Sequence, residues 1–278
     1  MDKLFLLDAY AIIFRSYYAF INRPTINSKG LNTSAILGFC NTLKEITDKE
    51  KPTYIGVAFD EGKTFRHEAF PPYKAQREAT PEDIKLAVPF IKEILEAMHI
   101  PVLVAPGFEA DDVIGTLAIQ AGEAGIETYM LTPDKDYGQL IRENVYMYRP
   151  RHGGGYDIIG QKEIEDKYGI SSAHQVIDLL ALMGDSADNY PGCPGVGEKT
   201  AVKLINEFGS CENLIENSNQ LKGKMREKVE GAVEDIKISK FLATIRTDVP
   251  MSLDLETLKL QAPDEEKLRA IFENLEFK

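Results

Sequence analysis

The sequence predicts an α/β fold: a mostly parallel central sheet flanked by helices, followed by a helical region. Three observations lead there. Short β-rich apolar runs alternate with stretches of helical periodicity, the pattern of strands joined by helical crossovers. Several of those runs end at a carboxylate: Asp8, Asp60 and, after Leu131, Asp134. From Gly184 onward a glycine-rich string separates two apolar stripes of helical spacing, and helical signals dominate. Residues 1–183 therefore read as an α/β core and residues 184–278 as a helical region.

The apolar stretch from Leu4 to Phe14, interrupted by Asp8, reads as a strand, with Lys3–Leu7 at its heart. It has no small-residue cleavage site and is not a signal peptide. Ser34–Glu50 carries a helical pattern, and Tyr54–Phe59 is a strand ending at Asp60. Gly62–Thr80 is locally basic, with Lys63, Arg66, Lys74 and Arg77 interleaved with Phe65, Phe70 and Tyr73. Pro71-Pro72 allows it only short helices. Pro81–Met98 is helical, and the strand Pro101–Ala105 leads through Pro106-Gly107-Phe108 into Glu109-Ala110-Asp111-Asp112, which opens the helix Val113–Glu123. Glu127–Leu131 is another strand, followed by Thr132-Pro133-Asp134-Lys135-Asp136. Val176, Leu179, Leu180 and Met183 form a helical stripe that stops at Gly184; Ala201, Leu204, Ile205 and Phe208 form a second that stops at Gly209.

Composition narrows the function. The formal charge is -12, from 44 acidic against 32 basic residues, which argues at first against a polyanionic partner. The three cysteines, Cys40, Cys193 and Cys211, lack metal-ligand spacing and suit a reduced cytoplasm. No segment is long and apolar enough to span a membrane. The acidity resolves once the acids are placed. In a parallel sheet the strand C-termini share one edge, where ligands bind. Asp8, Asp60, Glu109, Asp111, Asp112, Asp134 and Asp136 should meet there, joined by Asp185 and Asp188 from the next helix. So many carboxylates repel one another unless cations are present, and an oxygen-only donor set points to Mg²⁺ or Mn²⁺. Each acid alone has a plainer reading as a helix cap or first-turn complement to the helix dipole; the recurrence at successive strand exits favours a metal site.

Gly195-Val196-Gly197, followed by Lys199, forms a turn that can aim backbone N–H groups at an anion, next to a helix N-terminus. An ordinary helix–helix connection with a solvated Lys199 is the plain alternative. The whole string, Gly-x-Pro-Gly-x-Gly-x-Lys-Thr-Ala, resembles the helix–hairpin–helix element that holds DNA phosphates without reading sequence.

Together, Asp8, Phe59-Asp60, Phe65-Arg66-His67-Glu68, Tyr73-Lys74-x-x-Arg77, Gly107–Asp112, Thr132–Asp136 and Gly184-Asp185-x-x-Asp188-Asn189 resemble the 5′-nuclease family. The likeness is strongest to the N-terminal 5′→3′ exonuclease domain of bacterial DNA polymerase I, a relative of the flap endonucleases, and runs over nearly the whole chain. It implies a two-metal site. Asp8, Asp60, Glu109 and Asp111 would hold the first ion; Asp134, Asp136 and Asp185 would hold the second, with Asp111 bridging. Asp112 and Asp188 would act through water or orient the ligands. The resemblance also implies an arch over residues 62–80, in which Lys74 polarises the scissile phosphate, Arg77 positions it and Arg66 contacts DNA. Arg15, beside Phe14, would lie near the scissile nucleotide, and Gly195, Val196, Gly197 and Lys199 would grip duplex phosphates. The implied partner is DNA with a 5′ flap or a 5′ end on a duplex, cut by a monomer in the bacterial cytoplasm, with K⁺ at the hairpin carbonyls. The implied setting is replication and repair, with polymerase domains following Lys278 or a free-standing nuclease. A PIN-type ribonuclease and a nuclease-inactive DNA-binding scaffold are the rival classes. Lys222, Lys224, Arg226 and Lys228 read equally as a solvated helix face or a DNA patch.

Overall fold

A computed structural model describes residues 2–277. Six strands build one sheet: β1 (Lys3–Asp8), β2 (Tyr54–Ala58), β3 (Val102–Leu103), β4 (Glu127–Leu131), β5 (Val145–Pro150) and β6 (Tyr156–Ile159). Their order is β3-β2-β1-β4-β5-β6. All neighbours are parallel except β6, which pairs antiparallel with β5 through Met147–Ile159 to Pro150–Tyr156. The expected mostly parallel sheet is therefore present.

Between and beyond the strands run α1 (Ala9–Ala19), α2 (Ser34–Glu45), α3 (Phe65–Ala69), α4 (Glu82–Ala97), α5 (Ala110–Glu123), α6 (Gln161–Tyr168) and α7 (Val176–Met183). The helical remainder is α8 (Glu198–Phe208), α9 (Cys211–Glu216), α10 (Gly223–Gly231), α11 (Val233–Ala243), α12 (Leu255–Leu258) and α13 (Glu265–Leu275).

Strand alternation divides the core. Phe5 and Leu7 face α1, α2, α4 and α13, packing with Ile13, Phe39, Ile91 and Ile271. Leu4 and Leu6 face the other way, into a cluster with Val113 of α5, Leu179 of α7, Ile205 of α8 and Ile236 of α11. The helical region thus shares a core with the sheet. Burial on both faces is what a parallel sheet requires.

Two readings change. The apolar run to Phe14 is not one strand: Asp8 ends β1 and caps α1, its Oδ1 accepting from the Ala11 N–H at 3.2 Å. The helix expected to reach Glu50 is α-helical only to Glu45 and closes with a π turn, Ile46–Glu50, before Lys51 at φ 48°.

The strand order explains where the site lies. The order of strand addition reverses at β1, with β2 on one side and β4 on the other. At such a switch point the loops leaving neighbouring strands diverge and open a crevice. Asp8 leaves β1 there, and Asp134 and Asp136 follow β4.

Candidate active site

The crevice is a cavity of about 220 Å³ walled by Asp8, Asp60, Glu109, Asp111, Asp134, Asp136 and Asp188 together with Lys74 and Arg77. Asp8 also accepts from the Tyr137 hydroxyl at 3.1 Å. Burial, then Asp60, lifts its carboxyl to about 7. Asp60 accepts from the Ala110 N–H at 2.8 Å, tying the exit of β2 to the start of α5. Glu109 is the N-cap of α5. Burial alone would raise its carboxyl, but Lys74 and then Arg66 outweigh it and hold it below the usual range. Asp111, in the first turn of that helix, is pushed well above the carboxylate range by burial, then by Asp112 and Glu109. Asp134 caps the short 3₁₀ turn Lys135–Leu140, accepting from the Asp136 N–H at 2.9 Å.

The basic segment folds onto this acidic wall. Lys74 donates to Glu109 Oε2 at 2.7 Å and lies 4.0 Å from Asp188. Its own backbone is left-handed, at φ 55°, and its N–H is held by the Asp188 carbonyl at 2.9 Å. Arg77 pairs with Asp188. Asn189 donates to the Pro72 carbonyl at 2.6 Å. Residues 72–77 therefore dock on the 186–189 loop, and the one helix in the 62–80 segment, α3, is five residues long.

Asp185 stands at the edge of the group. It is absent from the cavity wall, accepts from the N–H groups of Ala187 and Asp188 at 2.7 and 3.1 Å, and meets Lys135 at 3.4 Å.

Two expectations are corrected, those for Arg66 and Arg15, while Asp112 sits where it can orient a ligand but not hold a cation itself. Arg66 is 1% exposed and cannot touch DNA from that position. Its guanidinium clamps Asp112 at 2.7 and 2.8 Å and donates to the carbonyls of Leu242 and Thr244 at 2.9 and 2.7 Å. Asp112 is 0% exposed, and its two oxygens also accept from the Glu109 and Arg246 N–H groups at 2.9 and 2.8 Å. With four donors already on it, it has no lone pair left for a cation and instead fixes Glu109. Arg15 points away from the acids: it lines a separate cavity and donates to the Arg151 carbonyl at 3.2 Å. Tyr10 and Phe14, from the same helix, line the acidic cavity.

The helix–hairpin–helix pairs α7 with α8 across a tight loop. A Cβ on Gly192 would lie 2.2 Å from the Gly184 nitrogen, and one on Gly184 2.6 Å from the Pro191 carbonyl oxygen. Glycine is required at both. Gly195 sits at φ 76°, and Gly197 is the N-cap of α8. Val196 does not offer its N–H outward: it donates to Cys193 at 3.0 Å, and the side chain is buried. The first-turn N–H groups of α8 and the exposed Lys199 remain for a ligand. Lys228 Nζ donates to the Gly195 carbonyl at 3.4 Å, so an ammonium already meets one hairpin oxygen.

Sequence reasoning missed Tyr10, Tyr137 and Tyr190. Nothing in their spacing marks them, because each reaches the acids through tertiary packing. The fit to divalent cations can be tested on the side chains. Among the described residues no three His, Cys, Asp or Glu side chains are already drawn together around one point. The donor set is all oxygen, however, and Asp111 Oδ1 and Asp136 Oδ1 are buried without any hydrogen-bond partner. Buried carboxylate oxygens with nothing to accept are costly unless a cation or donor meets them. The residues fit the metals.

Fold and site define the class, a nuclease. The chain belongs to the 5′-3′ exonuclease family: residues 3–169 match its N-terminal resolvase-like domain and residues 171–266 its C-terminal SAM fold. The chain is 40% identical to DNA polymerase I of Bacillus caldotenax, over 99% of its own length but only 31% of that protein. It thus spans about a third of the polymerase relatives it matches. It is 38% identical to a 5′-3′ exonuclease of Aquifex aeolicus, covering 100% of this chain and 93% of that one. Two solved structures share the fold. One is T5 5′-exonuclease with divalent metal ions (zinc) bound, at TM-score 0.73 and 21% identity over 98% of this chain and 99% of that one. The other is the catalytic core of Rad2 in complex with a DNA substrate, at TM-score 0.62 and 18% identity over 99% and 87%.

Proposed function

We propose that this chain hydrolyses DNA phosphodiesters at 5′ ends and at the base of 5′ flaps, using two Mg²⁺ or Mn²⁺ ions. The convergence of seven acids from five separate chain segments on one cavity, with Lys74 and Arg77 in its wall, carries this reading. Asp8, Asp60, Glu109 and Asp111 would hold one ion; Asp134, Asp136 and, from the edge of the group, Asp185 would hold the other. When bound, the ions supply activated water and charge neutralisation for in-line displacement. The protein supplies the rest. Lys74, bonded now to Glu109, reaches a phosphate oxygen entering the cavity, and Arg77 orients it. The first turn of α8 with Lys199 grips the duplex, so residues 184–278 act as the DNA-binding region and residues 62–80 as the arch. A K⁺ at the hairpin carbonyls would compete with the Lys228 ammonium, which already meets the Gly195 oxygen.

The biological setting is primer and flap removal by a cytoplasmic monomer. The likeness to polymerase I supports a polymerase linked to this chain, and the likeness to the Aquifex aeolicus exonuclease supports a free-standing enzyme. A 5′-labelled flap substrate tests the reading. Cleavage at the flap base is expected with Mg²⁺ or Mn²⁺ and none in excess EDTA. Cleavage that persists in EDTA overturns the metal mechanism; binding without cleavage in Mn²⁺ returns the scaffold reading, and cleavage of RNA alone the PIN-type one.

A further inference from the structure

Tyr137 has no part in the roles above, yet its hydroxyl rests on one of the proposed ligands. The side chain is 1% exposed, belongs to the core that holds Val113, Leu140 and Leu179, and lines the acidic cavity. Its hydroxyl donates to Asp8 Oδ2 at 3.1 Å, although the two residues are 129 positions apart. A phenol buried in an apolar core needs an acceptor, and Asp8 supplies it.

The backbone makes this contact specific. Leu7 of β1 lies in register with Leu131 of β4, so Asp8 and Thr132 leave neighbouring strands side by side. Thr132 Oγ1 donates to Asp8 Oδ2 at 3.4 Å and accepts from the Asp134 N–H at 3.2 Å. The chain then turns through Lys135–Leu140, capped by Asp134, and brings Tyr137 back to Asp8. One short segment therefore carries Asp134 and Asp136, proposed for one ion, and a donor to Asp8, proposed for the other.

The donors on Asp8 define what the hydroxyl leaves free. A carboxylate has about four acceptor positions. Asp8 fills three, with the Ala11 N–H on Oδ1 and with Tyr137 and Thr132 on Oδ2. Asp112 is closed to a cation by its four donors, whereas Asp8 keeps a position open on Oδ1. Without the phenol, Oδ2 would be held by the longer Thr132 contact alone.

We propose that Tyr137 is a positioning residue of the acidic site: its hydroxyl holds Asp8 so that the open position on Oδ1 meets a divalent cation. The inference rests on the two-metal reading and adds a residue that this reading does not contain. Hydrogen-bond partners of ligating groups are worth about 10–100-fold in metal affinity.

The test compares Tyr137→Phe with Tyr148→Phe. Each keeps its ring and loses one phenol–carboxylate bond, but Tyr148 bonds to Glu50, at 2.9 Å, and does not line the cavity. Mn²⁺ binding to the DNA-free protein is followed by the electron paramagnetic resonance of free Mn²⁺. Melting is recorded in EDTA and in saturating Mn²⁺. Tyr137→Phe is expected to bind one Mn²⁺ about tenfold more weakly and to show a smaller rise in Tm on adding Mn²⁺. Tyr148→Phe should leave both affinities and that rise unchanged, whatever its Tm in EDTA. A bond that serves folding alone would lower both melting temperatures of Tyr137→Phe together. Mn²⁺ affinities would then stay within about threefold of wild type, short of the expected tenfold, and the proposal would be overturned. Equal weakening of Mn²⁺ binding by Tyr148→Phe overturns it as well. Wild-type protein that binds no Mn²⁺ would instead sink the two-metal reading itself, so the two failures are told apart.

Discussion

At the scale of single residues, the clearest lesson concerns Arg66. Its surroundings in sequence are basic and aromatic, which suggests a DNA contact, yet the side chain is sealed against Asp112, 46 residues away. Both charges are fully desolvated, so the pair is held by geometry and by two further backbone carbonyls rather than by net attraction. Removing one partner leaves the other buried and unpaired. Arg66→Met should therefore lower unfolding free energy by about 3–5 kcal/mol in urea titrations. The double variant Arg66→Met with Asp112→Leu should recover much of that loss, since no orphan charge remains. If Arg66→Met unfolds at the wild-type urea concentration, the pair is not a structural anchor. No local pattern reveals such a pairing; only the packing of α3 against α5 and the end of α11 creates it.

At the scale of elements, what was readable follows from pattern strength. β1, β2 and β4 are short, largely apolar runs buried on both faces, and each is legible with the acid that follows or ends it. The α7 and α8 stripes were legible for the same reason, through i, i+3, i+4 spacing. β5 and β6 were not, because Val145–Pro150 and Tyr156–Ile159 mix tyrosine, arginine and aspartate at half-buried positions near the sheet edge. α1 was hidden because its apolar residues continue those of β1 without a break, and the only boundary mark, Asp8, serves both as cap and as site residue. The acids were found because they recur at strand exits; their mutual arrangement depends on the β1–β4 switch, which no single segment encodes. For the hairpin, the exposed Lys199 beside the first turn of α8 makes a specific claim. Lys199→Ala should weaken duplex binding and flatten the salt dependence by about one counterion. Fluorescence anisotropy over a range of salt concentrations measures it, and an unchanged slope would make Lys199 a bystander.

At the scale of the molecule, the acidic cavity links stability to pH and to metal. Asp8 is raised to about 7, and burial raises Asp111 and Asp136 well above the carboxylate range. In the absence of metal the folded chain then holds protons that the unfolded chain, with carboxyls near their usual values of about 4, has already released. Stability must fall as pH rises through that window. Melting in EDTA should accordingly show Tm dropping from about pH 5 to about pH 7.5, on either side of the ordinary and shifted carboxyl values. Saturating Mn²⁺ should abolish or reverse the trend, because a cation favours the ionised carboxylates. A Tm that climbs with pH in EDTA would mean the carboxyls are not raised.

The same assembly has a consequence for biosynthesis. The cutting edge draws Asp8 from the first strand and Asp188 from beyond α7, and Glu109 is braced by Asp112 and Arg66, which in turn lean on Leu242, Thr244 and Arg246. A chain emerging from the ribosome therefore carries every early acid long before it carries the braces that aim them. On the proposed site this order would complete the cutting edge only late in synthesis, and fragments ending before Leu242 should fail to nick a labelled flap substrate.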